Sequence, residues 1–311
     1  MKSSVVFNFI NWLYRWQIVW QDSLLSITFD RFSQASIAAH NRPLKSATEL
    51  SYIDSMRRLC KIGLEIVQQR TISRPIREHL QRIVEYRDDI QQEEQHLVLH
   101  LTDIAKCRSM KEQLEFWNLY LHRSYILSEL CRPVLRFRAA RWQDELSRTL
   151  YSFCLENMAN TVEAFLGLQN ITTFATQSWA AIHRSLSCAL LLSILREPSR
   201  NQRVQNLVFK LTAVMSHITM GVDLSEQSTP LTRSIFALQK LNLQSSGTEG
   251  SQLGESLGFE PQFEFDDQTM SDLSRASTLE ASPHSTEANQ SSPYSILNTI
   301  MWGPSNLMPS N

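Results

Sequence analysis

Apolar residues recur along residues 5–241 at the three- and four-residue spacing of amphipathic α-helices. In residues 5–28, Trp12, Trp16 and Trp20 follow one another every four residues and form an aromatic stripe on one helix face. Similar periodicity continues through residues 48–69, 76–84, 110–131, 179–195 and 204–220. No run alternates apolar and polar residues over a convincing length. The pattern therefore predicts an all-α fold, an irregular multi-helix array without a fixed repeat.

The helical periodicity stops near residue 241, where Ser, Thr, Gly, Gln and acidic residues become dominant. Residues 242–292 carry too few apolar side chains to offset the entropy of ordering, so a disordered acidic tail is predicted. Aromatic and acidic side chains are mixed in one part of this tail, as in an acidic activation segment, although an ordinary acidic linker remains open. The residues that would carry activation are Phe259, Phe263, Phe265, Asp266, Asp267 and Leu273.

Residues 293–311 form a short terminal segment that regains apolar side chains between Tyr294 and Trp302. This density predicts a short helix that docks on the body or on a partner. The domain prediction is therefore a helical body over residues 1–241, an acidic tail over 242–292 and an apolar terminal segment over 293–311.

Composition supports this division. The 311 residues have a net charge of −1 and only 8 glycines, which suits a helical body with few tight turns. From residue 242 onward, 9 acidic residues face a single basic one, Arg275, for a net charge of −8. The preceding residues contain 22 acidic and 29 basic side chains, for a net charge of +7. A basic folded body and an acidic tail are expected.

The five cysteines are scattered, and no Cys-x-x-Cys pair occurs. An odd, widely spaced set indicates reduced thiols in a core, and it cannot supply the closely spaced thiolates of a six-cysteine zinc cluster. The cysteines are Cys60, Cys107, Cys131, Cys154 and Cys188. No apolar run has the length of a membrane helix, and the N-terminal segment lacks a signal-peptide cleavage site. We therefore expect a soluble intracellular protein without a membrane partner.

Motifs for chemistry are missing from the sequence: it has no phosphate-binding loop and no Gly-x-Ser-x-Gly elbow. His96 and His100 lie four residues apart on a possible helix, beside Glu93 and Glu94, but no third metal ligand is indicated. A solvated helix face is the favoured interpretation. His122 and His183 are predicted to be core histidines. We predict no enzyme activity, and no catalytic, cofactor-binding or metal-ligating residues.

A basic stretch holds Arg132, Arg136, Arg138 and Arg141. It contains no compact Lys/Arg block and no base-reading motif, so these arginines are expected to form ion pairs or to face solvent.

Four segments carry a family resemblance. The first contains Trp16, Asp22, Leu24, Leu25 and Arg31. Their order resembles the "Arg-Arg-x-x-Trp-Trp … Asp-Arg-Leu-Leu-Ser … Gly-Arg-Pro" motif of the fungal-specific transcription factor domain. That domain is the helical middle region of fungal zinc-cluster regulators. Departures from the motif occur at Arg15, Ser23, Asp30 and Phe32.

The other three segments follow in the family's order. Residues 119–135, which include His122, Arg132 and Pro133, resemble its "Leu-His … Leu-Leu-His-Arg-Pro-Phe-Leu" segment. Cys154, Met158 and Ala159 are spaced like its Cys-x-x-Ala-Ala helix, with Asn157 and Met158 in place of the usual small pair. Trp179 precedes a Ser, Ala and Leu helix that is similar to its "Trp … Phe-x-Ala-x-Leu-x-Leu" helix. Together the four matches cover residues 12–195.

The resemblance implies a nuclear regulatory domain that controls transcription through effector or partner sensing and an acidic tail. It implies contact with the transcription machinery or co-regulators, a small-molecule effector and only indirect contact with DNA. The signature lies close behind Met1, so we expect an N-terminally truncated domain, with zinc confined to a DNA-binding cluster outside this chain. Homodimerisation and a cytoplasmic location remain open. The alternative is a stand-alone helical interaction scaffold or a truncated gene product.

Overall fold

The structure of this protein is a computed structural model, and it describes residues 19–28, 31, 33, 49–70, 72, 75–136, 145–219, 230–246 and 293–302. The described residues are helical or irregular and contain no strand, which confirms the all-α prediction. In chain order the helices are α1 over residues 19–28, α2 Tyr52–Arg70, α3 Ile76–Glu94, α4 Met110–Leu130, α5 Arg132–Arg136, α6 Glu145–Ile171, α7 Phe174–Gln177, α8 Trp179–Ile194, α9 Gln202–Thr219, α10 Pro230–Ser246 and α11 Pro293–Trp302.

Helix starts follow from local capping chemistry. Ser109 precedes α4 and accepts a hydrogen bond from the backbone N–H of Glu112, and Ser178 does the same for Ala181 at the start of α8. The Ser51 hydroxyl accepts a hydrogen bond from the backbone N–H of Asp54 at the start of α2. Helices α10 and α11 both begin with a proline, which has no N–H to leave unpaired in the first turn.

The three helices α4, α6 and α8 form the centre of the fold. Helix α4 lies along α6, and α6 lies along α8, while α2, α9, α10 and α11 cover the outside. Every residue from Ala181 to Ser193 of α8 is buried. Burial of polar side chains in such a helix requires local partners. The hydroxyls of Ser185, Ser187 and Ser193 therefore donate to backbone carbonyls one turn earlier.

The break between α4 and α5 lies where the sequence predicts it. Helix α4 ends at Leu130, and the short α5 begins at Arg132 with Pro133 in its first turn. Proline cannot donate to the carbonyl of the preceding turn, so α4 cannot continue through this position.

The boundary predicted near residue 241 falls inside a helix. Helix α10 runs through Ser246, and the Asn242 side chain donates to Thr212 Oγ1 of α9 at 3.0 Å. Helix α11 lies against α8 and α10, so the terminal segment is in contact with the body. The composition changes five residues before α10 ends because the last turns of the helix are polar.

Four of the five cysteines are buried, namely Cys60, Cys131, Cys154 and Cys188, and all five are free thiols. Cys107 is half-buried and its thiol lies 3.3 Å from the His100 carbonyl. The prediction of reduced core cysteines is therefore confirmed for four positions and wrong for Cys107.

A close approach between α4 and α6 makes Gly167 the most sensitive glycine. A Cβ at this position would lie 2.5 Å from Cε2 and 2.6 Å from Cε3 of Trp117, well inside van der Waals contact with a rigid ring. We expect Gly167→Ala to lower the free energy of unfolding by about 1–3 kcal/mol, as overpacking does, in spite of the better helix propensity of alanine. Urea denaturation followed by circular dichroism measures this change.

The matched control is Gly63→Ala in α2, where the added Cβ meets only the flexible end of the Ile27 side chain. Rotation of Ile27 can relieve that contact, so the change should stay within about 1 kcal/mol of the original protein. Equal stability of the two variants would contradict the packing argument.

Candidate functional site

The most unusual polar group in the described residues is the guanidinium of Arg184, which lies on the central helix α8 and is 0% exposed. Its Nη1 contacts Nδ1 of His122 on α4, and the guanidinium carbon lies 5.1 Å from the centre of the Tyr125 ring. Arginine offers only donors, so His122 Nδ1 must accept and the imidazole proton must sit on Nε2.

Arg184 remains charged in this environment. Burial lowers the pKa of Arg184 to about 10, and Tyr125 is the first of several neighbours that act in the opposite direction. The guanidinium is therefore protonated at neutral pH. Its Nε and Nη2 atoms have no hydrogen-bond partner among the residues that the structure describes. Two donor nitrogens of this buried cation therefore lack a hydrogen-bond acceptor in the part of the chain that the structure describes.

Helix α1 approaches this region through Trp20. The Trp20 ring meets the His122 ring edge-on, with ring centres 5.4 Å apart. Trp20 Nε1 and Ser26 Oγ are both buried and have no hydrogen-bond partner within the described part of the chain. Ser23 instead donates to the Trp20 carbonyl at 2.7 Å. We call Arg184, His122 and Trp20 the arginine cluster.

Glu129, the acidic residue that acts electrostatically on Arg184, is already paired with two other arginines. Glu129 of α4 is buried, and its Oε2 lies 2.9 Å from Arg70 Nη2 and 3.4 Å from Arg132 Nη1. Arg184 forms no ion pair with any residue in the described ranges. A buried charge without an ion pair costs several kcal/mol. The arginine cluster is therefore expected to lower the free energy of unfolding.

The thiols around the cluster are not reactive nucleophiles. Burial raises the pKa of Cys60 to about 11 and that of Cys188 to about 12, although Arg184 acts in the opposite direction on both. A thiol is a nucleophile only as the thiolate, so these cysteines are inert at neutral pH. The arrangement can bind an acceptor or an anion, and it offers no activated nucleophile.

The first signature segment ties down the end of α1. Asp22 accepts a hydrogen bond from Ser33, and its Oδ1 lies 3.7 Å from Nη2 of Arg31. Leu24 is buried and Leu25 is half-buried. The structure thus brings Asp22 and Arg31 together, while Trp16 lies outside the described residues.

The remaining signature residues have structural roles. Arg132 pairs with Glu129, and Pro133 borders a small pocket of about 20 Å³ beside Arg70. The buried Cys154 thiol of α6 lies 3.5 Å from the Ser128 carbonyl of α4. Trp179 is 46% exposed and stacks on His183, with ring centres 4.9 Å apart.

Both predicted core histidines, His122 and His183, are buried. The prediction that His96 and His100 lie on one helix is wrong, because α3 ends at Glu94 and the two residues share no helix. His100 instead pairs with Glu115 at 3.1 Å. The described residues contain no group of three or more side chains placed to hold a metal ion.

The acidic tail residues Phe259, Phe263, Phe265, Asp266, Asp267 and Leu273 all lie outside the described residues. Conversely, the sequence interpretation missed Arg184. A signal was available, because Arg184 is the one charged residue in the 16 residues of α8. A lone cation in an otherwise apolar helix indicates either snorkelling to the surface or a buried polar site, and only packing distinguishes the two.

Comparison with known protein families, with curated proteins and with solved structures found no match for this chain. Within the described residues, no helix has the length and apolar character needed to cross a membrane.

A pH effect on stability follows from His183. Burial, with a smaller contribution from Arg184, lowers the pKa of His183 from 6.5 to about 4 in the folded protein. The neutral form is favoured by folding, so this contribution is complete above pH 6.5 and is lost as the pH falls toward 4. The loss should approach about 3 kcal/mol, at about 1.4 kcal/mol per pH unit. Urea denaturation at a series of pH values measures it.

His183→Gln should flatten this pH dependence, because glutamine does not titrate. His96→Gln is the matched control, since His96 is exposed in the turn after α3. The buried His122, whose pKa burial lowers well below its ordinary value, accounts for the slope that remains in the His183 variant. An unchanged slope in His183→Gln would contradict this assignment.

Proposed function

We propose that this chain is the regulatory body of a fungal zinc-cluster-type transcription factor. In this proposal the helical body binds a small anionic effector at the arginine cluster. The acidic tail contacts the transcription machinery or a co-regulator in the nucleus, and DNA contact is indirect. The observation that carries the proposal is that contacts link the four family-like segments to one another, and that three of these segments contribute to one polar centre.

The contacts between these segments are direct. The Cys154 thiol of the third segment lies 3.5 Å from the Ser128 carbonyl of the second segment, which links α6 to α4. Trp20 of the first segment meets His122 of α4, and His122 meets Arg184 of the fourth. The four segments therefore lie beside one another in one hydrophobic core, as segments of a single domain do.

The chemistry of the cluster favours an anion. The planar Arg184 guanidinium has two donor nitrogens without a partner among the described residues, and Trp20 adds an N–H. A carboxylate is the acceptor that best matches the forked geometry of arginine. The raised thiol pKa values support binding rather than catalysis at this place.

Access requires a conformational change. Arg184 and His122 are both buried in the closed arrangement that the structure describes. Trp20 of α1 lies against His122, so we expect an effector to enter when α1 separates from α4. Binding then selects a minor open state, which is how a buried site can act as a regulatory switch.

A first test replaces the cation. Arg184→Met fills the same space without charge, so we expect unchanged or higher stability, by about 1–4 kcal/mol, in urea denaturation. The same variant should lose any thermal stabilisation by sodium acetate, succinate or phenylacetate, measured against sodium chloride at equal ionic strength. Arg203→Met is the control, because Arg203 lies at the surface and pairs with Glu156 and Glu163. Anion stabilisation that survives in Arg184→Met would exclude this site.

A second test addresses transcription. The chain is fused to an unrelated DNA-binding domain, and residues 247–292 are deleted so that α10 and α11 remain intact. We expect a several-fold loss of reporter activity, because the acidic and aromatic residues of the tail are removed. Replacing the same segment with a Gly/Ser linker of equal length controls for spacing. Full reporter activity after this replacement would refute the activation role of the tail.

A further inference from the structure

Helix α11 is joined to the rest of the protein only through the 46 residues 247–292, yet it lies against the body. We propose that α8 and α10 form a docking surface for this helix and that α11 acts as a reversible latch. In the closed state both ends of the acidic tail are held at the body. In the open state the far end of the tail and the docking surface are released. This device does not depend on the proposed effector.

The apolar contacts of α11 come from one face. Leu297 and Met301 are buried and belong to the main hydrophobic core, and Ile300 packs against it. These three positions have the three- and four-residue spacing that places side chains together on a helix surface. The docking surface is therefore selective for a short helix with this apolar pattern.

Two polar contacts fix the end of the helix. Arg233 Nη2 of α10 donates to the Met301 carbonyl at 3.1 Å. A cation at this position satisfies a carbonyl that the last helical turn leaves unpaired, and it also interacts favourably with the helix dipole. On the other side, the Ser187 hydroxyl of α8 lies 3.6 Å from the Met301 sulfur. Together these contacts hold the last turn of α11 against α10 and α8.

The size of the interface makes the latch reversible. A helix of 10 residues is not stable in water by itself, so α11 is helical because it is docked. Burial of Leu297 and Met301 stabilises the docked helix by about 1.5–3 kcal/mol for each side chain. The conformational entropy lost when ten residues become ordered opposes this gain. The covalent tether compensates by raising the local concentration of α11 to the order of millimolar.

The docking surface also touches the centre of the fold. Ser187 lies one turn after Arg184 on α8, and its hydroxyl donates to the His183 carbonyl at 2.6 Å. Opening of the latch therefore uncovers the helix that carries the arginine cluster. A partner helix with the same apolar spacing can occupy the surface once α11 has left it.

Hydrogen exchange on the full chain tests the latch. In the original protein, α11 amides should exchange at least about tenfold more slowly than an unstructured peptide and at least about tenfold faster than the amides of α8. Leu297→Asp combined with Met301→Asp should bring α11 to the unstructured rate and speed exchange in the first half of α10. Exchange in α4 and α6 should not change. Leu257→Asp combined with Met270→Asp, in the tail, is the matched control.

A milder variant covers the case in which the double variant misfolds. Arg233→Gln removes the charged contact at the end of α11, and it should speed exchange in α11 several-fold without affecting α6. A synthetic peptide of residues 290–304 should restore slow exchange in α10 of the double variant, and the same peptide with Leu297→Asp should not.

Three results would overturn the proposal. The first is exchange in α11 as slow as in α8, which would make α11 a permanent part of the core. The second is exchange of α11 at the unstructured rate in the original protein, which would mean that it does not dock. The third is a doubled mass in solution that returns to the monomer mass in the double variant, which would assign the docked helix to a second copy of the chain.

Discussion

The burial of α8 from Ala181 to Ser193 is the constraint on which the rest of the structure depends. A helix that is surrounded by protein must satisfy every polar side chain from within. Its serines do so by donating to carbonyls of their own helix. Arg184 has no such solution, because a guanidinium needs acceptors that neighbouring turns cannot supply. The charge therefore determines its surroundings: His122 is held neutral, Tyr125 presents its ring face, and the nearby thiols stay protonated.

A protein selected only for stability would replace this arginine with a hydrophobic residue of similar size. Its presence at the meeting point of α1, α4 and α8 is therefore the strongest physical argument for a regulatory site. The same helix supports α11 through Ser187, so the two candidate regulatory features share one rigid element. Communication between them needs no long pathway, because a change in the position of α8 acts on both.

Local patterns predicted the helices well. The break at Pro133, the position of α8 and the terminal helix at residues 293–302 all follow from apolar spacing, prolines and caps. Where local pattern and structure disagree, the reason is that residues acquire partners from distant elements. His100 lies outside the helix predicted for it and pairs with Glu115. Helix α10 continues past residue 241, and there Asn242 donates a hydrogen bond to Thr212 of α9. The family resemblance placed Asp22 and Arg31 in one motif, and the fold joins them as an ion pair.

By itself the sequence determined that the body is all-α, that most of its cysteines are core thiols and that an acidic segment follows the helices. These properties depend on periodicity and composition, which are local and additive along the chain. Only the tertiary structure decided that Arg184 is buried without an ion pair to any described residue and that α11 lies on α8 and α10. A lone arginine in an apolar helix can reach water or be enclosed, and the outcome depends on which helices cover it. That information lies in contacts between residues that are far apart in the sequence.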